Sequence, residues 1–361
     1  MLLCSLKIAP SSHMQSLDSL YKKHLETKTQ WMIAQLNGIN LSHLCCKIIP
    51  SPISDGFRNR AKFRVFHDRN GVRIEGTDPI DGPVPYEKSL WILPAWSRQI
   101  VRQVSAFIQT DHKNLLVDGF EIQLAHGKKN AHTTFSVKKS VALSYEDLSL
   151  TLLTNIPGIV GVAIPSQKLE VGEIYLDHSI GGKDFYAHYA SFFQSNLRIT
   201  PKLLGHVDQL SNKLAFQDIF DLYCGVGLLS LSVAEKNTTI IGIETNRMAV
   251  KSAQKNAEHM GFRSANFSVS SVECFVRFTE IDKTSLVLIN PPRSGCSPAI
   301  INTITSHCPN HVLLVSCSLK THVLDLAEWK KDGYEVQSLK AFDMFPFTDF
   351  LETVTVLERK D

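Results

Sequence analysis

The sequence predicts an α/β protein in two parts, an α+β domain over residues 1–185 and a parallel-sheet domain over residues 186–361. A chain of 361 residues is long enough for two domains, each with its own core. In the second part, apolar runs alternate with amphipathic stretches, as in parallel strands joined by crossover helices. In the first part, short β-branched and aromatic runs are broken by Gly, Pro and Asp, which is typical of an α+β domain.

The first part begins with an amphipathic stretch over residues 14–38, which predicts one helix ending at Gly38. Two strand-like runs flank Asn70-Gly71, a dipeptide that is typical of a tight hairpin turn. A second helix is predicted over WSRQIVRQVSAFI, and further strands over TFSVKKSVAL and IVGVAIP.

The second part contains four apolar runs that predict parallel strands, in the stretches DIFDLYCGVG, TIIGIET, SLVLINPP and HVLLVSC. The first run precedes a predicted helix over LLSLSVAEKN, and the second precedes one over MAVKSAQKNAEHMG. Because ligands of such sheets bind beyond the carboxyl ends of the strands, the residues that follow these runs are the candidate site.

The bulk composition is that of an ordinary globular protein, with 43% hydrophobic and 20% charged residues. The net charge of +3 is too small to establish a nucleic-acid partner by itself. We expect a cytoplasmic protein, because no apolar run reaches transmembrane length and the start MLLCSLKIAPSSH lacks the features of a signal peptide. We also expect a monomer. The eight cysteines show no zinc-finger spacing, so we expect free thiols and no metal site.

A cofactor loop is predicted after the first strand of the second part. Gly225 and Gly227 allow a tight turn, although a structural turn without a ligand explains a lone Gly-x-Gly equally well. Glu244 ends the next strand, 17 residues beyond Gly227, where a carboxylate can accept the hydroxyls of a ribose. Ser230 stands where a dinucleotide fingerprint has its third glycine, which favours S-adenosylmethionine over a dinucleotide.

Two further loops carry candidate chemistry. Asn290 and Arg293 lie in NPPRSG, where an amide and a guanidinium can face a planar heterocycle, although a plain turn is the alternative. Cys317 lies where a strand ends and a helix begins, and the helix dipole there favours a nucleophilic thiolate. The alternative for Cys317 is a small apolar core residue.

With these motifs the sequence resembles the S-adenosylmethionine-dependent RNA uracil-C5 methyltransferases. The resemblance rests on SFFQSN, DLYCGVG, IGIE, NPPRSG, VSCS and FDMFPFTDFLE in the order of the family, and it extends to GFRNRAKFRV in the first part. It implies a Rossmann-like class I methyltransferase domain over residues 186–361, preceded by an α+β RNA-recognition domain. It also implies an RNA methyltransferase that uses S-adenosyl-L-methionine.

The resemblance assigns roles to individual residues. Cys317 would be the nucleophile that adds to uracil carbon-6, and Glu352 the base that removes the carbon-5 proton. If the last two strands are antiparallel, Glu352 lies at the sheet edge that holds Cys317. The residues at the cofactor- or base-binding positions are Gln194, Tyr223, Glu244 and Asn290, together with the loop glycines Gly225 and Gly227.

The chain also departs from the family pattern. Some members hold an iron–sulfur cluster on four cysteines, but Cys4, Cys45 and Cys46 do not restore that spacing, so we expect no cluster. Ser271 replaces the acid that often follows the third strand. Phe347 and Phe350 stand where histidines are common, which predicts a more desolvated Glu352.

The RNA contacts are predicted from charge and aromatic residues. Alternation in GFRNRAKFRV places four cations on one strand face, which suits a phosphate backbone, although a solvated outer face is the alternative. Either Phe192 or Phe193 can stack a displaced base, with core packing as the alternative for one of them. The predicted RNA contacts are Arg58, Arg60, Lys62, Arg64, Phe193 and Arg293.

The target RNA stays open at this level. GFRNRAK and the short spacing between Ser271 and NPPRSG resemble the 23S rRNA branch of the family, while a tRNA T-loop target is the alternative. An RNA cytosine-C5 methyltransferase resembles the chain less, because Cys296 does not directly follow a proline. A non-catalytic RNA-binding module with a relic cofactor pocket is a reading from a different class, which an intact Cys317 and Glu352 disfavour. The missing third glycine disfavours a dehydrogenase.

Overall fold

The structure is a computed structural model that describes residues 16–45, 47–69, 71–110, 117–125, 129–137 and 145–360. The described residues form two compact units, each with its own sheet. The first comprises residues 16–17, Ile53–Ser179 and Ser195–Leu197, and the second comprises Asp18–Pro52, Ile180–Gln194 and residues 198–360. Chain order is used below to number the helices and strands.

In the first unit, seven strands of the described residues form one mixed sheet in the order β4-β3-β2-β5-β6-β7-β8. Apolar side chains of β2 and β5 pack with helices α3 and α4 in one core, in which Phe63 stacks on Phe120 at 4.8 Å between ring centroids. The bounds are β2 Arg60–Asp68, β3 Gly71–Asp78, β4 Gly82–Pro85, α2 Tyr86–Ser89, α3 Ala95–Thr110, β5 Val117–Leu124, β6 Ala131–Val137, α4 Tyr145–Asn155, β7 Ile159–Ile164 and β8 Leu169–Gly172.

The predicted hairpin is present, because β2 and β3 are antiparallel and Asp68 pairs with Gly71. Asn70 and the last six residues of the predicted strand TFSVKKSVAL, 138–143, lie outside the described residues. The chain passes from the first unit to the second through β9 Tyr175–Ile180 and β10 Lys183–His188.

In the second unit, eight strands of the described residues form a sheet in the order β1-β16-β17-β15-β14-β11-β12-β13. Strands β11 to β15 are parallel, as predicted, and β17 is antiparallel to both of its neighbours. The bounds are α1 Leu17–Asn37, β1 Ile48–Ile49, α5 Thr200–Ser211, β11 Asp218–Leu222, α6 Leu228–Val233, β12 Thr239–Glu244, α7 Arg247–His259, β13 Ala265–Val269, α8 Val272–Phe278, β14 Leu286–Ile289, α9 Pro298–Ser306, β15 His311–Ser316, α10 Leu319–Lys331, β16 Tyr334–Phe342 and β17 Glu352–Arg359.

The boundary between the units differs from the predicted break at residue 185. Helix α1 from Asp18 onwards and strand β1 belong to the second unit, although they precede the sheet of the first unit in sequence. Met32 and Leu36 of α1 are fully buried in the same core as Trp329 of α10, and β1 pairs in parallel with β16. An amphipathic pattern predicts that one helix face is buried, but it does not tell which core buries that face.

Candidate active site

The candidate site lies at the carboxyl edge of the parallel strands in the second unit. The strand register brings the ends of β15 and β17 together, because Ser316 pairs with Thr353. Cys317 directly follows Ser316, and Glu352 directly precedes Thr353, where it pairs with Phe342 of β16. The predicted antiparallel pair is confirmed, so the thiol and the carboxylate lie at one edge although they are far apart in sequence.

The loop after β11 has the backbone of a ligand-binding turn. Gly225 and Gly227 have φ of +54° and +77°, and Tyr223 adopts the same left-handed region with φ of +62°. That region is unfavourable for a tyrosine and is found mainly where the surrounding structure requires it. Among the described residues, no atom lies within 4 Å of where a Cβ on Gly225 would be, so the turn has open space in front of it.

Glu244, at the end of β12, is held against this turn. One carboxylate oxygen accepts hydrogen bonds from the backbone N–H of Asn246 at 2.8 Å and from the Thr245 hydroxyl at 3.0 Å. The other accepts the N–H of Gly225 at 3.3 Å. The side chain is half-buried, so a preorganised carboxylate faces accessible space, as binding of ribose hydroxyls requires.

Two more predicted positions join this edge. The backbone N–H of Asn290 donates to the carbonyl of Leu222 at 3.2 Å, which places Asn290 beside the turn. The Asn246 side chain donates to the carbonyl of Ala190 at 2.9 Å, which brings the segment containing Gln194 to the Glu244 loop. Gln194 itself is 4% exposed.

Asp221 lies two residues before Tyr223 and was not among the predicted site residues. It is fully buried at the end of β11 and accepts the Ser230 hydroxyl at 2.5 Å. Burial raises the pKa of Asp221 to about 7. Ser230 therefore has a structural role of its own, because its hydroxyl donates to the buried carboxylate of Asp221. The signal was the aspartate at the head of DLYCGVG.

Cys317 is half-buried just before α10, and its ionisation differs from the prediction. Burial and the carboxylate of Glu352 raise the pKa of the Cys317 thiol to about 11. The charge of Arg293 and a hydrogen bond from Arg293 act in the opposite direction and lower this pKa, but by less. A helix N-terminus predicted a thiolate, but desolvation outweighs that effect in the free protein. The free protein therefore holds this cysteine as a thiol at neutral pH.

Arg293 lies over the Phe350 ring, with 3.9 Å between the guanidinium carbon and the ring centroid. Its backbone carbonyl accepts the hydroxyl of Thr321 at 3.1 Å. The Phe350 ring thus holds the Arg293 guanidinium, the positive charge that lowers the pKa of Cys317. Arg293 was predicted as an RNA contact, and the structure places it beside Cys317.

Glu352 is 2% exposed, and burial raises its pKa to about 7. The adjoining segment contributes Phe347, which is 7% exposed, and Phe350. The desolvated environment predicted from these two phenylalanines is therefore present. A carboxyl group with this pKa can exchange a proton near neutral pH.

The predicted basic strand lies in the first unit, where it is less uniform than its sequence indicates. Lys62 and Arg64 are exposed, but Glu121 of the neighbouring strand forms ion pairs with Arg60 and with Lys62, the latter at 3.3 Å. Arg58 is half-buried and bridges to Asn196. A cavity of about 420 Å³ opens on this face, and it is lined by Lys62, Arg64, Glu75, Thr77, Asp118, Glu121, Thr134 and Ser136 among others. The face thus mixes cations with carboxylates.

The structure distinguishes between the two adjacent phenylalanines. Phe193, predicted as the RNA contact, is 8% exposed and packs near Phe185, with 6.5 Å between the ring centroids. Phe192 is 59% exposed. For base stacking, Phe192 therefore replaces Phe193, because only an accessible ring can receive a base.

The sequence predicted no metal site, no iron–sulfur cluster and no transmembrane helix. In the described ranges, no three His, Cys, Asp or Glu side chains are arranged to hold a metal ion. Cys4 and Cys46 lie outside those ranges, so the absence of a cluster stays a prediction. No helix among the described residues has both the length and the apolar composition needed to cross a membrane.

Curated relatives are RNA methyltransferases by name. An uncharacterized RNA methyltransferase of Gloeobacter violaceus is 26% identical over 335 residues, covering 86% of this chain and 72% of that protein. The 23S rRNA (uracil(747)-C(5))-methyltransferase RlmC of Vibrio cholerae is 35% identical over 170 residues, covering 47% of this chain and 44% of that protein. An uncharacterized RNA methyltransferase of Halalkalibacterium halodurans is 32% identical, and the alignment covers 42% of its length. The matched region is thus less than half of the latter two relatives.

The fold matches the crystal structure of the Pyrococcus abyssi tRNA (uracil-54, C5)-methyltransferase in complex with S-adenosyl-L-homocysteine. The TM-score is 0.74 at 21% identity, over 93% of this chain and 83% of that one. The family model described as tRNA (Uracil-5-)-methyltransferase matches residues 20–360, which include every strand and loop of the candidate site. The chain therefore belongs to the tRNA (uracil-5-)-methyltransferase family.

Proposed function

We propose that this protein is an S-adenosylmethionine-dependent methyltransferase that makes 5-methyluridine in RNA. The observation that carries the proposal is the register that brings Cys317 and Glu352 to one sheet edge, the edge at which β11 also ends before the turn with Gly225 and Gly227. A thiol, a desolvated carboxyl group and a ribose-binding carboxylate at one edge are the groups that this reaction needs.

The proposed chemistry starts at Cys317. Its thiolate adds to carbon-6 of uracil, and the electron pair of the carbon-5–carbon-6 double bond moves into an enolate, which makes carbon-5 nucleophilic. Because the pKa of the thiol is raised to about 11 in the free protein, RNA binding must favour ionisation, and Arg293 is the cation placed to stabilise the thiolate. Negative charge develops on uracil oxygen-4 in this step, and we propose that the side-chain amides of Asn290 and Gln194 stabilise it by donating hydrogen bonds.

S-adenosylmethionine, when bound, supplies an electrophilic methyl group for carbon-5. Glu352 then accepts the proton of carbon-5, the enolate re-forms, and its collapse expels the Cys317 thiolate. The overall exchange replaces one proton of uracil by a methyl group. Glu352 releases that proton to solvent, and the expelled thiolate takes back from solvent the proton that the Cys317 thiol lost before it added to carbon-6. The pKa of about 7 suits Glu352 to this step, since such a group both takes and releases a proton at neutral pH.

The residues around the turn fit S-adenosylmethionine. Glu244 would accept the ribose hydroxyls, the loop with Tyr223, Gly225 and Gly227 would approach the amino-acid part, and Asn290 would lie beside the adenosine. The fit is supported by the open space at Gly225 and by the three hydrogen bonds that hold the Glu244 carboxylate.

Replacing Glu244 by alanine is expected to weaken the binding of S-adenosylmethionine by about 1–3 kcal/mol, the cost of leaving buried hydroxyls without their acceptor. Isothermal titration calorimetry measures this change. Glu258→Ala, which removes an exposed carboxylate from α7, is the matched control. Unchanged affinity in a folded Glu244→Ala variant would remove Glu244 from the cofactor site.

The proposed substrate is 23S rRNA. The support is the 35% identity to the Vibrio cholerae enzyme that is named for uracil 747 of 23S rRNA, over a stretch that spans 47% of this chain. A tRNA substrate is the second candidate, because the matching family description names tRNA. Mass mapping of 5-methyluridine in rRNA and tRNA from cells with and without the gene separates the two: a mark lost only from tRNA would contradict the rRNA assignment.

The exposed part of the basic strand is proposed to contact the RNA backbone. Lys62→Ala/Arg64→Ala should reduce the slope of log affinity against log salt by up to about two units, because each phosphate contact releases about one counterion. Lys22→Ala/Lys23→Ala removes the same charge from exposed positions on α1 and serves as the control. A wild-type salt slope in the Lys62/Arg64 variant would assign that face to solvent.

A further inference from the structure

A buried ion pair joins helix α1 to the segment that leads into Glu352. The Lys28 ammonium donates to one carboxylate oxygen of Asp343 at 2.6 Å, and both side chains are almost completely buried. The Tyr21 hydroxyl donates to the other oxygen at 2.7 Å. Lys28 also donates to the backbone carbonyl of Phe345 at 3.2 Å, so it fixes both a side chain and the main chain of the segment.

Further side chains on the same face of α1 contact the segment. Residues 21, 24 and 28 lie on one side of an α-helix because they are three and four positions apart. A ring nitrogen of His24 is 3.3 Å from the carbonyl of Thr348. The Phe347 ring packs against Tyr21 and His24, with centroid distances of 5.5 and 5.8 Å. Residues 343–348 therefore rest on one helical face.

The segment connects directly to the proposed chemistry. Asp343 follows the last residue of β16, and its N–H donates to the carbonyl of Ile49 in β1. At its other end, Phe350 supports Arg293, and Glu352 begins β17. Lys28 and Tyr21 thus hold the start of the segment, directly after Phe342, the residue of β16 that pairs with Glu352.

A buried charge pair is a poor source of stability, because desolvation of both ions offsets most of their attraction. A packed apolar pair would fill the same space at no loss of stability. The ion pair instead fixes orientation, because its charge-assisted hydrogen bonds set the angles of the Asp343 carboxylate and the Phe345 carbonyl. We infer that Lys28, Tyr21 and Asp343 are positioning residues that hold the segment 343–351 so that Glu352 reaches the carbon-5 proton. This inference rests on the proposed function.

The test is Lys28→Met/Asp343→Asn, which removes both charges together and leaves no orphaned ion, while the amide can still accept the Tyr21 hydroxyl. In vitro transcribed rRNA and tRNA are the substrates, either with ordinary uridine or with 5-fluorouridine throughout. With fluorouridine the covalent adduct should form at a rate within about threefold of wild type, because Cys317 is not displaced. With ordinary uridine the turnover should fall by about 100-fold, as expected for a group misplaced by about 1 Å, and a methylated adduct should accumulate.

Met32→Ala is the matched control, because Met32 is buried on the same helix within the core of the second unit. It should lower the melting temperature without accumulating adduct on ordinary RNA. The inference is overturned if the Lys28/Asp343 variant turns over ordinary RNA like wild type, or if addition and release are slowed equally, as in a merely destabilised enzyme. If wild-type protein forms no adduct with fluorouridine RNA, the proposed function fails, and the inference fails with it.

Discussion

Replacing Cys317 by alanine is expected to abolish methyl transfer to RNA while leaving S-adenosylmethionine binding within about twofold of wild type. Without the thiolate, carbon-5 of uracil has too little electron density to attack a methyl group. Transfer of radiolabelled methyl groups to rRNA measures the loss. Fluorouridine RNA should give an adduct that survives denaturation with wild type and none with Cys317→Ala.

Cys274→Ala is the control for this experiment, since Cys274 is an exposed cysteine on α8. It should retain both turnover and adduct formation. Full methyltransferase activity in Cys317→Ala would place the nucleophile elsewhere and contradict the proposed mechanism.

Replacing Glu352 by glutamine is expected to separate the two halves of the reaction. Addition of Cys317 and methylation of carbon-5 do not need Glu352 as a base, so both should proceed. Release needs removal of the carbon-5 proton, so the enzyme should stay covalently bound to ordinary uridine RNA. Denaturing electrophoresis of protein with labelled RNA detects the complex, and mass spectrometry of the digested adduct should find a methylated uracil on Cys317. A glutamine variant that turns over freely would remove Glu352 from the role of base.

The pH dependence of the same step gives an independent check. Burial raises the pKa of Glu352 to about 7, so the carboxyl group is largely protonated below that pH and cannot accept a proton. In wild type, the release rate should therefore rise as the pH increases through about 7, and the trapped fraction should be larger at pH 6 than at pH 8. In Glu352→Gln the release rate should not follow this titration.

Much of the second unit could be predicted because its signals are local. Strands β11, β12, β14 and β15 are short apolar runs, and polar residues stand at their carboxyl ends, such as Glu244 at the end of β12 and Asn290 after β14. The parallel arrangement then brings those residues to one edge without any further information. The placement of Glu352 at the edge that holds Cys317 needed one more assumption, that the last two strands are antiparallel, and the register of β16 and β17 confirms it.

Other features depend on contacts that no local pattern encodes. Lysine is seldom buried, so Lys28 reads as a solvent-facing residue until its partner 315 positions away is known. Phe192 and Phe193 are adjacent and chemically identical, and only the tertiary fold decides which ring is exposed. The pKa of Cys317 reflects the same limit, because burial by distant residues outweighs the local effect of the helix terminus.

The separation between Lys28 and Asp343 has a consequence for the synthesis of the protein. At about 5–20 residues per second, a ribosome needs roughly 16–60 s to make the chain between them. Residues 53–179 emerge in that interval, and they contain a complete sheet and core. The first unit can therefore fold on the ribosome before the residues that cover the apolar face of α1, such as Trp329 of α10, have been synthesised. We expect the catalytic unit to close last, and nascent chains arrested before Asp343 to be captured by chaperones through α1.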